Sequence, residues 1–159
     1  SGWSVPMAAH MTGSLIHEMA GKFKYYLFYK PNILITHAGL DNTLWIKHGL
    51  SLLNLKDILK IWCRDPSSPA YQIGYYRGGD RAVGGIFWCD FNREFTEIPE
   101  LVQIVGHTAG KTLRQIGNSY CIDYHNYIKD HFYYDIDFFT ETNCRGASLE
   151  VSSDLPKGE

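Results

Sequence analysis

Two histidines stand in matching local sequence. Ile33-Leu34-Ile35-Thr36-His37-Ala38-Gly39 and Gln103-Ile104-Val105-Gly106-His107-Thr108 each read as a short apolar strand ending at a histidine with small neighbours. In open α/β sheets, ligands bind just beyond the carboxyl ends of strands. A neutral imidazole is the commonest metal ligand once a hydrogen bond on its other nitrogen fixes the tautomer. Ala38-Gly39 and Gly106 let the backbone turn sharply and let a metal or phosphate come close. Two such histidines can share one divalent ion. A catalytic metal takes three or more protein ligands, and a two-metal hydrolase also needs a bridging carboxylate. The chemistry of His37 and His107 is therefore half of a site. A single histidine at a strand end is more often a surface or hydrogen-bonded residue, and the repetition of the context is what singles these two out.

Other residues have two readings each. Arg77 and Arg81 lie in the glycine-bearing loop Tyr75-Tyr76-Arg77-Gly78-Gly79-Asp80-Arg81. They either clamp a substrate phosphate bidentately or are solvated loop charges. Asp90 and Asp123, each at the end of an apolar run, either orient a ligating histidine from behind or cap a turn. The run Tyr124, Tyr127, Phe132, Tyr133, Tyr134, Phe138 and Phe139 is either a binding face or core plus half-buried sheet surface. His17, His48, His125 and His131 lack supporting context and read as surface residues.

The elements that would position these groups follow from periodicity. Ser14 is placed to cap a helix through Leu15, Ile16, Met19, Phe23, Tyr26 and Leu27 that ends at Lys30-Pro31. Asn32 to Thr36 reads as a buried strand. Thr43 to Leu50 reads as helical. Asn54 caps a clearer helix, with Leu55, Ile58, Leu59 and Trp62 on one face. Asp65-Pro66 opens a long loop, of the kind that is functional or mobile in compact domains. Ile86–Cys89, Leu101–Val105 and Tyr120–Asp123 read as short strands, and Tyr133–Thr140 and Ala147–Val151 as late antiparallel ones. Helices between strands early and strands late predict an α/β layered domain with a mixed sheet.

Composition narrows the class. With 45% apolar residues in 159, the chain has enough for a core without disulfide staples. Cys63, Cys89, Cys121 and Cys144 are too scattered for a zinc ribbon, and they read as reduced thiols in a cytoplasmic setting. A net charge of −2 without a basic stripe speaks against nucleic acid. No apolar run reaches the roughly 18–20 residues of a membrane span. Residues 1–10 show no periodic pattern and read as a vector-derived or disordered leader, residues 11–151 as a single partial domain, and residues 152–159 as a frayed tail.

The local wording goes further. Ile-Leu-Ile-Thr-His-Ala-Gly-Leu around His37 resembles the H-A-G or H-G-G block of calcineurin-like metallophosphoesterases, in the phosphoprotein phosphatase branch. Ile-Val-Gly-His-Thr around His107 is similar to that family's G-H-T block. Gly85-Ile86-Phe87-Trp88-Cys89-Asp90 resembles the W-x-D/R segment, and Tyr120-Cys121-Ile122-Asp123 the x-I-D-x-G strand. The four blocks keep the family's order over roughly residues 14–124. The resemblance implies the C-terminal half of a layered α/β/β/α sandwich. It also implies two divalent ions (Mn, Fe, Zn or similar) that activate a water against phosphorus, with His37 and His107 as ligands of the second ion. The family's earlier blocks, D-x-H, G-D-x-x-D-R-G and G-N-H-E, are not in these 159 residues, and Gly79-Asp80-Arg81 falls in the wrong order to replace one.

The expectation is thus a piece of a phosphoesterase acting on a phosphomonoester or phosphoprotein, truncated or proteolysed and inactive alone. The alternative is a non-catalytic binding or oligomerisation domain derived from that fold. Either would pair or swap with a second copy to cover the missing half.

Overall fold

The computed structural model describes residues 24–123, all within one compact unit of the chain, Ser1–His125. Five strands form one mixed sheet in the order β1-β2-β3-β5-β4. β1 (Tyr26–Lys30) pairs antiparallel with β2 (Ile33–Thr36) across the turn at Pro31-Asn32. β2 lies parallel to β3 (Val102–Val105), and β3 parallel to β5 (Ser119–Cys121). β4 (Arg114–Ile116) closes the far edge as an antiparallel hairpin with β5. The α/β class and the mixed sheet are therefore present. The strands expected at Tyr133–Thr140 and Ala147–Val151, and the aromatic run from Tyr124 onward, lie outside the described residues.

β3 is buried at every position, as a central strand of a covered sheet should be. Its register places Leu34 beside Gln103 and Gln103 beside Ser119. On the face that carries Leu34, helices α1 (Asn42–Lys47) and α2 (Leu55–Trp62) supply Leu44, Trp45, Leu55, Leu59 and Trp62 to one buried cluster. Fully burying Leu55 and Leu59 contributes about 1.5–3 kcal/mol each. A second cluster of Ala38, Cys89, Phe91, Phe95, Val105 and Cys121 lies at the carboxyl ends of the strands, directly beneath the two histidine turns.

Four expectations need correction. Tyr26 and Leu27 are in strand β1, not at the end of a helix: the run Tyr25-Tyr26-Leu27-Phe28-Tyr29 is rich in aromatics that suit a pleated surface, and pairing of Phe28 with Leu34 decides it. The part of that helix before residue 24 lies outside the described residues. Ile86–Cys89 is a turn rather than a strand, with the N–H groups of Trp88 and Cys89 both donating to the Gly85 carbonyl. Its apolar side chains are there for burial: Ile86 and Cys89 are inaccessible to solvent. Asn54 does not cap α2 through its side chain. Its Oδ1 accepts from Ser51 N–H at 2.8 Å and its Nδ2 donates to the Gly49 carbonyl at 3.0 Å, which shapes the loop between the helices. The strand expected at Tyr120–Asp123 is β5, which ends at Cys121, so Asp123 lies beyond it, although Ile122 N–H still donates to the Val105 carbonyl.

Cys63, Cys89 and Cys121 are buried free thiols. Burial pushes the Cys63 thiol up to about 11, and Cys89 and Cys121 are raised for the same reason. No helix among the described residues is long and apolar enough to cross a membrane.

Candidate functional site

Parallel pairing of β2 with β3 puts their carboxyl ends at the same level. Ile35 is opposite Ile104, and two residues on, Gly106 N–H donates to the His37 carbonyl at 2.9 Å. The two rings therefore meet. His37 Nε2 and His107 Nδ1 are 2.8 Å apart, with ring centroids separated by 4.5 Å. In the hydrogen bond at this distance one nitrogen carries the shared proton. Both become acceptors toward a third atom only when each imidazole holds its proton on the other nitrogen, Nδ1 of His37 and Nε2 of His107.

The turn after β2 is built by ordinary means. Thr36 Oγ1 accepts from Gly39 N–H, and Ala38 N–H donates to the Ile86 carbonyl. Gln103, wholly buried on β3, accepts from Leu40 N–H at 2.8 Å and donates to the Leu40 carbonyl at 2.9 Å. A single amide thus satisfies both backbone groups of a buried residue. Gly39 has φ +104°, and a Cβ there would lie 3.0 Å from the Phe95 ring. Here glycine is required both by conformation and by space. Asp41 then caps α1 by accepting from Thr43 N–H, and its second oxygen accepts from Thr96 N–H. The exposed His37 also lines a concavity of about 410 Å³ with Tyr25, Leu27, Ile35 and Phe87.

The turn after β3 is different. His107 itself takes φ +66° and is the one non-glycine residue with positive φ among the described residues. Thr108 N–H donates back to the Gly106 carbonyl at 2.7 Å. This is a γ-turn of the strained hand, costing of order 1–3 kcal/mol, and such strain collects at functional sites. The ring is half-buried, with Trp88 edge-on at 5.7 Å. Burial pushes the His107 pKa below the ordinary value, and the neighbouring Arg77 and His37 push it the same way. The shift favours the neutral imidazole, the form that ligates a metal. Its Nε2 is buried and has no hydrogen-bond partner.

Of the other expected site residues, Arg77 and Asp90 come to this turn. Arg77 Nη2 donates to Thr108 Oγ1 at 2.8 Å and to the His107 carbonyl at 3.3 Å, and pairs with Asp90 Oδ2 at 3.2 Å. Asp90 Oδ1 accepts from Asn92 N–H. Asp90 thus acts on Arg77 and on a turn, and the charges of Asp123 and Asp90 both raise the His107 pKa against the larger opposing effects. Arg81 is exposed and pairs with Asp80 at 3.4 Å.

Sequence reasoning missed Glu94. Its buried carboxylate accepts from the N–H groups of Tyr76, Gly84 and Asp90, so it organises the whole loop that carries Arg77. The spacing Asp90-x-x-x-Glu94 after a Gly-Gly was the available signal. Among the described residues no three His, Cys, Asp or Glu side chains are grouped to hold a metal. The two imidazole nitrogens stand as a hydrogen-bonded pair, no group fixes the His107 tautomer from its Nε2 side, and the described residues supply no third ligand.

Comparison with protein-family models, with curated proteins and with solved structures finds no match to this chain.

Proposed function

We propose that this chain carries the second-ion half of a calcineurin-like metallophosphoesterase site of the phosphoprotein phosphatase branch. Its mixed sheet would then be part of a layered α/β/β/α sandwich. The observation that carries this reading is the approach of His37 Nε2 to His107 Nδ1, 2.8 Å, at the carboxyl ends of adjacent parallel strands. Two nitrogens each about 2.0–2.1 Å from one ion stand ~2.9 Å apart at a right angle and ~3.4 Å apart at the tetrahedral angle. The observed 2.8 Å is about 0.1 Å short of the right-angle separation and about 0.6 Å short of the tetrahedral one, so tetrahedral binding requires the rings to move apart. The lowered pKa of His107 and the strain stored at its turn support the same role.

A manganese, iron or zinc ion bound there would supply positive charge to a phosphoryl oxygen and lower the pKa of an attacking water. The chain's own part is to fix two imidazoles in register, to cover one edge with Trp88 and to hold Arg77 beside them. The aspartates, asparagine and further histidines of the complete family site are not in these 159 residues. Hydrolysis of a phosphomonoester or phosphoprotein therefore requires groups from outside them.

Co²⁺ titration followed by absorption tests this. One ion per chain is expected, with affinity lost in both His37→Ala and His107→Ala, and with no turnover of p-nitrophenyl phosphate in Mn²⁺. A wild-type chain that binds no ion, or binds it equally well in both variants, would leave the histidines a plain hydrogen-bonded pair in a non-catalytic domain. Turnover abolished by His107→Ala would overturn the claim that the chain is inactive alone.

A further inference from the structure

We propose that Arg114 is a positioning residue that holds the His107 turn in its strained form. The role matters for function only if His37 and His107 are metal ligands, as read above. The γ-turn sends the carbonyls of residues 106–109 out of the sheet ladder, so each needs a donor from elsewhere. All four have one. Gly106 O accepts from Thr108 N–H, and His107 O from Arg77 Nη2. Thr108 O accepts from Arg114 Nη2, and Ala109 O from Arg114 Nη1 at 3.3 Å. The same Nη2 donates to the Asp123 carbonyl at 2.7 Å and approaches Cys121 Sγ at 3.1 Å, while Nη1 reaches Asn92 Oδ1.

One guanidinium on β4 thus reaches past β5 and ties the exit of the His107 turn to the end of that strand. Its hydrogen-bond partners are carbonyls, an amide oxygen and a thiol, so its charge is spent on orienting the backbone. Its Nε is buried without a partner, which removes that edge from bidentate anion binding. A lysine would keep the charge but could not bridge carbonyls from two segments with a fixed fork. Arg77 holds the same turn through Thr108 Oγ1 and His107 O, so the two arginines together bind three of its carbonyls and one hydroxyl.

The test uses the full chain as Arg114→Met and Arg114→Lys, with Leu59→Ala as a control that loosens the core away from the turn. Two quantities are read in folded protein: the through-space NMR contact between the His37 and His107 rings without metal, and the Co²⁺ affinity. Arg114→Met is expected to lose the ring contact and to weaken Co²⁺ about 10–100-fold, the usual cost of removing a group that orients a ligand. Arg114→Lys is expected to fall between, and Leu59→Ala to keep both. Where Arg114→Met does not fold, Arg114→Lys decides. A folded Arg114 variant with the wild-type ring contact and affinity would overturn the proposal. A wild-type chain with the ring contact but no Co²⁺ affinity would overturn the metal reading, and loss of that contact in Arg114→Lys would still support the positioning role.

Discussion

The two histidine turns solve the same geometric problem in opposite ways. After β2, the backbone strain is assigned to a glycine: Gly39 takes φ +104°, and His37 is left exposed. After β3, the glycine precedes the histidine and has no positive φ, and His107 itself takes φ +66°. The His37 turn is locked by groups that belong to the sheet, Thr36 and the wholly buried Gln103. The His107 turn is locked by arginines that come from a loop and an edge strand. One ring is thus set by the core and the other by polar contacts that can be removed without opening it.

That contrast can be broken at several points. Gly39→Ala forces both positive φ and a contact 3.0 Å from the Phe95 ring, so it should cost about 3 kcal/mol, read as a lowered urea midpoint. Gln103→Leu leaves the N–H and carbonyl of Leu40 buried without partners, and roughly 2–3 kcal/mol should be lost in the same measurement. At position 107 the same ranking should hold. His107→Gly should be more stable than His107→Ala by about 1 kcal/mol, because only glycine takes positive φ without strain. Alanine should thus be worse than glycine at both positions, although only one of them is a glycine in the sequence.

The smallest effect is with pH. His107 is depressed first by burial and then by Arg77, so its ring should titrate in NMR below the ordinary histidine value of about 6.5. Because its folded pKa is lowered, the neutral ring contributes stability above that value. The contribution is lost as pH falls through the folded pKa. Arg77→Met removes one of the depressing charges and should move the titration upward; an unchanged titration would show that Arg77 does not contribute.

Much of this was legible in the chain. The apolar runs from Asn32 to Thr36 and from Leu101 to Val105 named two strands, and the helix at Leu55–Trp62 followed from the spacing of its apolar residues. The histidines were conspicuous because their contexts match. What was not legible depends on distant contacts. The aromatic run at Tyr26–Lys30 suits a helix or a strand until Leu34 and Ile35 choose for it. Ile86 and Cys89 are buried by a turn packed beneath the site, not by a ladder. Nothing in Gly106-His107-Thr108 says that the histidine, rather than the glycine, turns left-handed. Arg114 reads as one more polar residue before a turn, and its five acceptor groups come from four separate positions beyond its own strand plus Cys121.

The central claim is that His37 Nε2 and His107 Nδ1 face one divalent ion. The direct measurement is ¹⁵N NMR of the imidazole nitrogens with Zn²⁺ added. Coordination should shift Nε2 of His37 and Nδ1 of His107 together, at one ion per chain, and leave the protons on the opposite nitrogens. Shifts at His37 Nδ1 or His107 Nε2 instead, or rings that do not respond to Zn²⁺, would contradict it.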